Sequence, residues 1–505
     1  NDITNMTWSN ILTYQTKIKK KHNLDLLAGY EINSKESDGL GTTISNFARW
    51  DKPEVNNGVV YQSMGGSNST TRIVSYITRA NYDYDNKYYL GASWRTDGSS
   101  RLARENRWGN FWSLSGAWRV SSESFMKPLQ NWLSDLKLRV SYGVNGTLPS
   151  SYYGYMGLSS LTSNYNDNPG ITQSQLENKE LTWETNYNFN SGIDLGFFDN
   201  RLNVTFEYYV RTTKNLLYSR PLSLATGFSS YLANIGKLQN KGYELEIRST
   251  NIETKDFRWS TSLNLGHNAN KILKLDGDLK QVTSGTSIHK VGLPYSTYYM
   301  IEFAGIDPVD GEPMFYKNTT DENGNLNKET TKDPRSAEKV ILQCADPTIT
   351  GGLGNSISYK WFDLNFNVNF SFGAWNYDGA AGKLEHGGDG TLNIPIYYRK
   401  RWQKEGDETS IERFVVGRSI SMTDYATTRR LYSGDYVRLK NLTFGFTLPK
   451  TWTRKVGIDN IRLYASGNNL LTWAAYDYID PESGSSPSWD TPPMRTYTFG
   501  LEVKF

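Results

Sequence analysis

Arg495-Thr-Tyr-Thr-Phe-Gly-Leu-Glu-Val-Lys-Phe505 alternates over its whole length, with Tyr497, Phe499, Leu501, Val503 and Phe505 on one face and Thr496, Thr498, Gly500, Glu502 and Lys504 on the other. Side chains of a strand point to opposite faces at period two, so this segment has one apolar and one wet surface. It also stops on an aromatic carboxyl terminus, and it reads as the closing strand of a barrel that spans a membrane. A soluble β-sandwich has alternating strands too, so the decision between the two rests on the remainder of the chain.

Working back, Trp361-Phe-Asp-Leu-Asn-Phe-Asn-Val-Asn-Phe-Ser-Phe372 sets Leu364, Phe366, Val368, Phe370 and Phe372 against Asp363, Asn365, Asn367, Asn369 and Ser371. The wet face of a soluble sandwich would carry more Lys and Glu. A row of Asn and Ser suits a water-filled barrel interior. The pattern recurs at Leu202, Val204, Phe206 and Tyr208 against Asn203, Thr205 and Glu207, and at Tyr243, Leu245 and Ile247 against Glu244, Glu246 and Arg248. One strand changes phase: Val437 and Leu439 are odd, whereas Leu442, Phe444, Phe446 and Leu448 are even. A bulge near Lys440-Asn441 would restore the face.

Strands are predicted at 5–17, 22–36, 70–83, 87–99, 109–120, 135–146, 181–196, 201–212, 240–252, 256–270, 296–305, 312–318, 348–360, 361–373, 434–448, 460–473 and 495–505. The count is about seventeen, and bacterial barrels have an even number of antiparallel strands. The expectation is therefore the tail of a 22-strand barrel lacking roughly its first five strands, a size whose lumen needs a plug. With the last strand descending to the periplasm, the tight connections Asp83–Lys87, Phe197–Asn200, Asp307–Gly311 and Tyr359–Trp361 fall on the periplasmic side. The long stretches 37–69, 147–180, 213–239, 319–347, 374–433 and 474–494 fall outside. An open barrel would leave unpaired strand edges in lipid, so partner strands are required.

Composition agrees with this class. Mean hydropathy is negative, and no run approaches ~18 consecutive apolar residues, which excludes a transmembrane helix but not strands of ~9–11 residues with alternate positions facing lipid. Fifteen Trp, 34 Tyr and 20 Phe suit a protein with aromatic rings at two membrane interfaces. No linker-like stretch divides the 505 residues, so residues 1–505 read as one all-β architecture, a transmembrane antiparallel β-barrel portion in the cell outer membrane. Net charge is +3 without a basic stripe, which argues against nucleic acid as a partner. The one basic run, Lys17–Lys21, reads as a polar turn, and the single Cys344 as incidental. Asn1–Trp8 carries no charged n-region, apolar h-region or cleavage site, so the expectation is a processed chain or the later part of a longer polypeptide.

Several recognisable strings stand in order along the chain: Arg95-Thr-Asp-Gly-Ser-Ser-Arg101, Ser115-Gly-Ala-Trp-Arg119, Leu181-Thr-Trp-Glu-Thr185, Gly196-Phe-Phe-Asp-Asn-Arg201 and Asn240-Lys-Gly-Tyr-Glu244. Gly351-Gly-Leu-Gly-Asn-Ser-Ile-Ser-Tyr-Lys-Trp-Phe-Asp363, Arg438-Leu-Lys-Asn-Leu-Thr443 and Asn468-Asn-Leu-Leu-Thr472 complete the set. Together they resemble the barrel of SusC-like TonB-dependent transporters of the Bacteroidota. The resemblance implies an N-terminal plug, energy from the TonB complex, and a SusD-like surface lipoprotein that captures nutrient. It implies import of oligosaccharides, less readily of peptides. The plug, the TonB-box region and the first barrel strands of that family have no counterpart in these residues, and are expected as partners. Where the family often has an aspartate-rich turn, Asp321-Glu-Asn-Gly-Asn325 stands. It lacks the acidic spacing of an EF-hand loop and reads as a hydrophilic turn.

Catalysis finds little support. His22, His267, His289 and His386 fall in strand ends or loops without a nucleophile elbow, so no catalytic residues, metal site or cofactor are assigned. Glu184, Glu244 and Glu246 read as lumen acids that pair with a plug or a neighbouring strand. Solute capture is better supported, because sugar rings stack on aromatics, and loop residues Trp50, Trp375, Tyr377 and Trp402 are the substrate-contact candidates. Two alternatives stand beside import: a soluble or surface all-β glycan-binding protein, and an outer-membrane barrel hydrolase.

Overall fold

The computed structural model describes residues 1–505 except 48, 50, 53, 167, 276, 278, 323, 389–392, 418–424, 477 and 484–492. Fifteen strands belong to one large sheet in which sequence neighbours are sheet neighbours. They are β1 Asp2–Ile18, β2 His22–Phe47, β3 Gly58–Tyr84, β4 Tyr88–Ser99, β5 Trp108–Arg119, β6 Leu133–Thr147, β7 Glu184–Phe197 and β8 Leu202–Lys214. The series continues with β9 Lys237–Glu253, β10 Phe257–Lys274, β11 Ile349–Tyr359, β12 Phe362–Phe372, β13 Tyr436–Thr447, β14 Asn460–Ala474 and β15 Thr496–Lys504. Contacts divide the chain into two compact units, residues 1–127, 137–192 and 209–239, and residues 128–136, 193–208 and 240–505.

In the first unit, β1 to β6 pair antiparallel in turn. Three-residue connections join β1 to β2 and β3 to β4: Lys19 and Lys20, then Asp85 and Asn86, all take positive φ, the backbone of a type I′ turn. Register puts the even residues of β1 to β6 on one face. That face carries two cross-strand files of rings. Trp8, Tyr30, Tyr76 and Trp108 follow one another at 5.9, 5.1 and 6.2 Å, and His22, Tyr84, Tyr88 and Trp118 at 5.0, 6.4 and 6.4 Å. Tyr76 and Tyr84 lie eight residues apart on β3, roughly 26 Å along the strand and about 20 Å in height at the 35–45° tilt of a barrel strand. This is the scale of the ~25 Å apolar band between the aromatic girdles of a membrane barrel. The opposite face is polar, with Ser9 donating to Glu31 at 2.9 Å and Gln15 to Asp25 at 2.6 Å.

Above the girdle, the loops of this unit condense on a small core of Leu102, Phe111, Leu181 and Trp183. Arg95 donates from Nε to both Asp97 oxygens at 2.7 and 2.8 Å. Arg101 reaches Thr71 Oγ1 at 3.2 Å and the Pro149 carbonyl at 3.0 Å, with its guanidinium 4.4 Å from the Tyr152 ring centre. Trp183 donates from Nε1 to the Arg107 carbonyl at 3.0 Å. Two of the strings that carry the family resemblance are thus the residues that fasten these loops.

In the second unit, β10 to β15 pair antiparallel in order. Asn441 pairs with Asn367 and Leu439 with Val368, so Lys440 is the extra residue of a bulge, at the place where the phase change in sequence requires one. On the polar face, Arg462 of β14 donates to Asp363 of β12 at 2.7 Å across the intervening strand β13. Gly445 lies beneath this bridge, where a Cβ would meet Asp363 Oδ1 at 2.3 Å and Arg462 Nη2 at 2.6 Å.

Two expectations are corrected. The strands predicted at 296–305 and 312–318 are not part of the large sheet, which has fifteen strands among the described residues. They resolve into Thr297–Ile301, Phe303–Ile306 and Pro313–Tyr316, of four or five residues each, in separate small sheets. Such pieces are too short for the ~9–11 residues of a spanning strand. Tyr298, Met300, Ile301 and Phe315 are buried inside a loop assembly instead, and the Asp307–Gly311 turn lies within the long excursion between β10 and β11. Losing a pair leaves every other strand direction unchanged. Second, much of 37–69 is not loop but the prolongation of β2 and β3, which run 26 and 27 residues.

Candidate functional site

The long connections after β12 and β14 in the second unit build a dense group of charged and aromatic side chains. Beyond β12, Trp375–Tyr377 pairs antiparallel with Leu431–Ser433, which brings Asp378 and Arg430 together: the Asp378 N–H donates to the Arg430 carbonyl at 2.9 Å. Asp378 also caps the short helix Gly379–Leu384, its Oδ1 accepting from the Ala381 N–H at 2.8 Å. The helix delivers Glu385 to Arg430, whose Nε donates to Glu385 Oε2 at 3.2 Å. Arg429 lies against Glu412 and within 3.7 Å of Glu385. Both glutamates and Arg430 are buried.

Charges buried this deeply cost several kcal/mol of lost hydration each unless they are paired and their remaining hydrogen bonds are satisfied. Tyrosines supply the rest. Tyr397 donates to Glu385 Oε1 at 2.5 Å and Tyr398 to Glu412 Oε1 at 2.9 Å. Burial favours the neutral acid of Glu412, but the Arg429 charge prevails and holds its carboxyl below the usual range. Burial, reinforced by Glu385, pushes the Tyr397 hydroxyl far above the ordinary phenol range.

From the buried pair a file of rings leads outward. Tyr432 and Tyr476 stack in parallel with centres 3.8 Å apart, and Tyr476 donates to Asp378 Oδ2 at 3.0 Å. Tyr478 follows at 5.3 Å from Tyr476 and 5.4 Å from Tyr397, with 66% of its surface exposed. The segment carrying Tyr476 and Tyr478 is fixed at its far end by buried Arg438 of β13, which donates to Asp480 at 2.7 Å, Glu482 at 2.8 Å and Thr472 at 3.0 Å. Lys440 adds a 2.6 Å contact to Glu482.

The sequence candidates are placed differently. Trp375 and Tyr377 pack against the loop core of Tyr298, Met300 and Leu431, and the Tyr377 side chain is hydrogen-bonded to Arg430. Trp402 donates from Nε1 to the Pro308 carbonyl at 3.0 Å and lies flat on Gly311. Gly311 has φ +71° and no room for a Cβ under that ring. Trp50 lies outside the described residues. Tyr397, Tyr476 and Tyr478 were not singled out from sequence, although Tyr397-Tyr398 and Tyr476-Asp-Tyr478 are visible there as clustered rings. Of the closing strand, Tyr497, Phe499, Leu501 and Val503 lie within β15 and Phe505 follows it, all exposed.

Farther down the polar face, a recess is lined by Thr205, Glu207, Glu244, Glu246, Asn264 and Asn369. Glu246 accepts from Arg248 at 2.5 Å. In the first unit, Glu184 accepts from the Leu217 N–H at 3.2 Å.

Comparison with known proteins assigns the architecture. The family described as TonB dependent receptor-like, beta-barrel, matches residues 1–470. TonB-dependent receptor P3 of Formosa agariphila is 34% identical over 543 aligned positions, covering 99% of this chain and 52% of that protein. TonB-dependent receptor SusC of Bacteroides thetaiotaomicron is 30% identical over 86% of this chain and 44% of its own length. Among solved structures, the RagAB peptide transporter superposes with a TM-score of 0.86 at 29% identity, over 100% of this chain and 56% of that chain. The chain spans about half the length of these relatives. It belongs to the TonB-dependent receptor-like β-barrel family of the outer membrane.

Proposed function

We propose that this chain is the C-terminal barrel portion of a SusC-like importer that carries oligosaccharides across the outer membrane. A SusD-like surface lipoprotein delivers the solute to the loops beyond β12 and β14, and a plug inside the barrel, pulled by the TonB complex, opens a path along the polar wall. The observation that supports the importer class is the 34% identity to a TonB-dependent receptor over 99% of the chain, and the 30% identity to SusC supports the SusC-like type. The fifteen strands support the need for further barrel strands. Bacterial barrels have an even number of antiparallel strands, and the fifteen among the described residues are an odd number.

The named function of the RagAB relative favours a second reading, import of peptides. Native mass spectrometry of the detergent-extracted assembly, incubated in turn with neutral oligosaccharides and with a mixed peptide digest, separates the two. The expected result is a mass well above the 57.4 kDa of this chain, with a lipoprotein present and oligosaccharide adducts retained. Peptide adducts alone would select the second reading, and a folded species at 57.4 kDa alone would overturn the importer.

A further inference from the structure

We propose that Tyr478, wedged between Tyr476 and Tyr397, is a stacking subsite for the ring face of an uncharged sugar on the loops beyond β12 and β14. This rests on the importer reading above and adds the place and chemistry of capture. Three features of the cluster point to it. The Tyr397, Tyr398 and Tyr476 hydroxyls are committed to Glu385, Glu412 and Asp378, so these three serve as backing, and the surface offered to a solute is that of Tyr478. Glu385 and Glu412 are matched by Arg429 and Arg430, and the remaining carboxylate, Asp378, is buried and accepts from the Ala381 N–H and the Tyr476 hydroxyl, so these acids present little surface to an ionic ligand. Tyr478 is nonetheless two-thirds exposed while held by aromatic contacts on two sides at 48° and 64°. A large ring kept in water at a fixed angle is the arrangement of a binding anchor, because its ordering cost is met before the solute arrives.

The backing is equally telling. Desolvated ion pairs seldom repay their burial in stability, and here they set the positions of Tyr397 and Tyr398, while Asp378 and the Arg438 clamp set that of Tyr476. Tyr432, Tyr476 and Tyr478 are thus packed in sequence onto partners that are themselves hydrogen-bonded. The apolar ring face of a pyranose can lie on Tyr478 and leave its hydroxyls in water.

The test uses the full-length importer assembled with its lipoprotein in detergent and titrated calorimetrically with neutral gluco-, manno- and xylo-oligosaccharides. Tyr478→Ala is expected to weaken sugar binding by about tenfold or more, and Tyr478→Phe to leave it unchanged, while both keep the heat-dependent gel mobility of the folded barrel. Equal sugar affinity in wild type and Tyr478→Ala would overturn this subsite and leave the importer reading intact. Binding of peptides but of none of the sugars by the wild type would overturn the sugar reading and this subsite with it. Loss of affinity in Tyr478→Phe as well as Tyr478→Ala would show hydroxyl recognition, and would also overturn ring stacking as the mode.

Discussion

Glu412 is fully buried and holds two partners, Tyr398 and Arg429. Removing its charge strands the guanidinium of Arg429, whose other carboxylate, Glu385, is 3.7 Å away and shared with Arg430. Glu412→Gln is therefore expected to destabilise the loop assembly locally by about 3–5 kcal/mol. Hydrogen exchange in 397–413 and 427–432 should rise while exchange in β11 to β14 stays as it was; unchanged loop protection would refute the prediction. The same carboxyl predicts a pH response. Its folded pKa lies below the ordinary 4.5, so the unfolded loop takes up a proton first as pH falls. The stabilisation is fully present above about pH 4.5 and is lost as pH drops through the folded value. Near-UV circular dichroism of the tyrosine stack should stay flat from neutral pH to about 5 and decay only in stronger acid. Loss beginning near pH 6 would point to histidine. The types of these residues are plain in sequence, but their free surfaces are not. Trp375, Tyr377 and Trp402 are as aromatic as Tyr478, and only tertiary contacts with Met300, Arg430 and Pro308 decide that their faces or polar atoms are already occupied.

Strands were the most legible level, because period-two alternation is a local property that survives without knowledge of neighbours. The segments predicted at 201–212, 361–373 and 460–473 appear as β8, β12 and β14 within two residues at each end. The failure at 296–318 has the converse cause. Thr297–Ile301 and Pro313–Tyr316 sit mostly inside a loop core, so their apolar residues look like lipid-facing positions although the pieces are half the length needed to span. Lys440 is the sharpest case in which pattern alone located a backbone feature. Deleting it leaves Val437, Leu439, Leu442, Phe444 and Phe446 in unbroken period-two alternation and joins the Leu439–Val368 and Asn441–Asn367 pairs without an extra residue. The deletion is therefore expected to keep the heat-modifiable folded band on gels of outer-membrane preparations. Inserting one alanine between Thr443 and Phe444 instead turns Phe444 and Phe446 to the polar lumen and should abolish it. Loss of the band in the deletion variant would mean that β13 needs the bulge itself and not only its alternation.

Across the molecule, the loops are built as assemblies and not as separate arms. The excursion between β10 and β11 and the one between β12 and β13 share one core. Met300 and Tyr298 pack on Leu431, and Ile301 and Phe315 on Tyr425. The Phe303 N–H donates to Thr428 Oγ1 at 3.0 Å, and Arg413 reaches Glu312 at 2.6 Å. Beneath them, β12 and β13 are held in register by side-chain alternation, by the Lys440 bulge and by the hydrogen bond from the Gly373 N–H to Asp435 at 2.6 Å, none of which needs the loops. Replacing 374–434 by a short Gly-Asn turn should therefore leave a barrel that still assembles and shifts on heating, while residues 275–345 lose their covering. Each large apolar side chain uncovered there forfeits on the order of 1.5–3 kcal/mol of burial, more than a short-stranded sheet can spare. Brief trypsin treatment of intact cells should then cut at Lys317, Lys328 or Lys339 in the variant and spare them in the parent. Equal resistance in both would show that the first excursion folds unaided, and that the two loops are neighbours without energetic coupling.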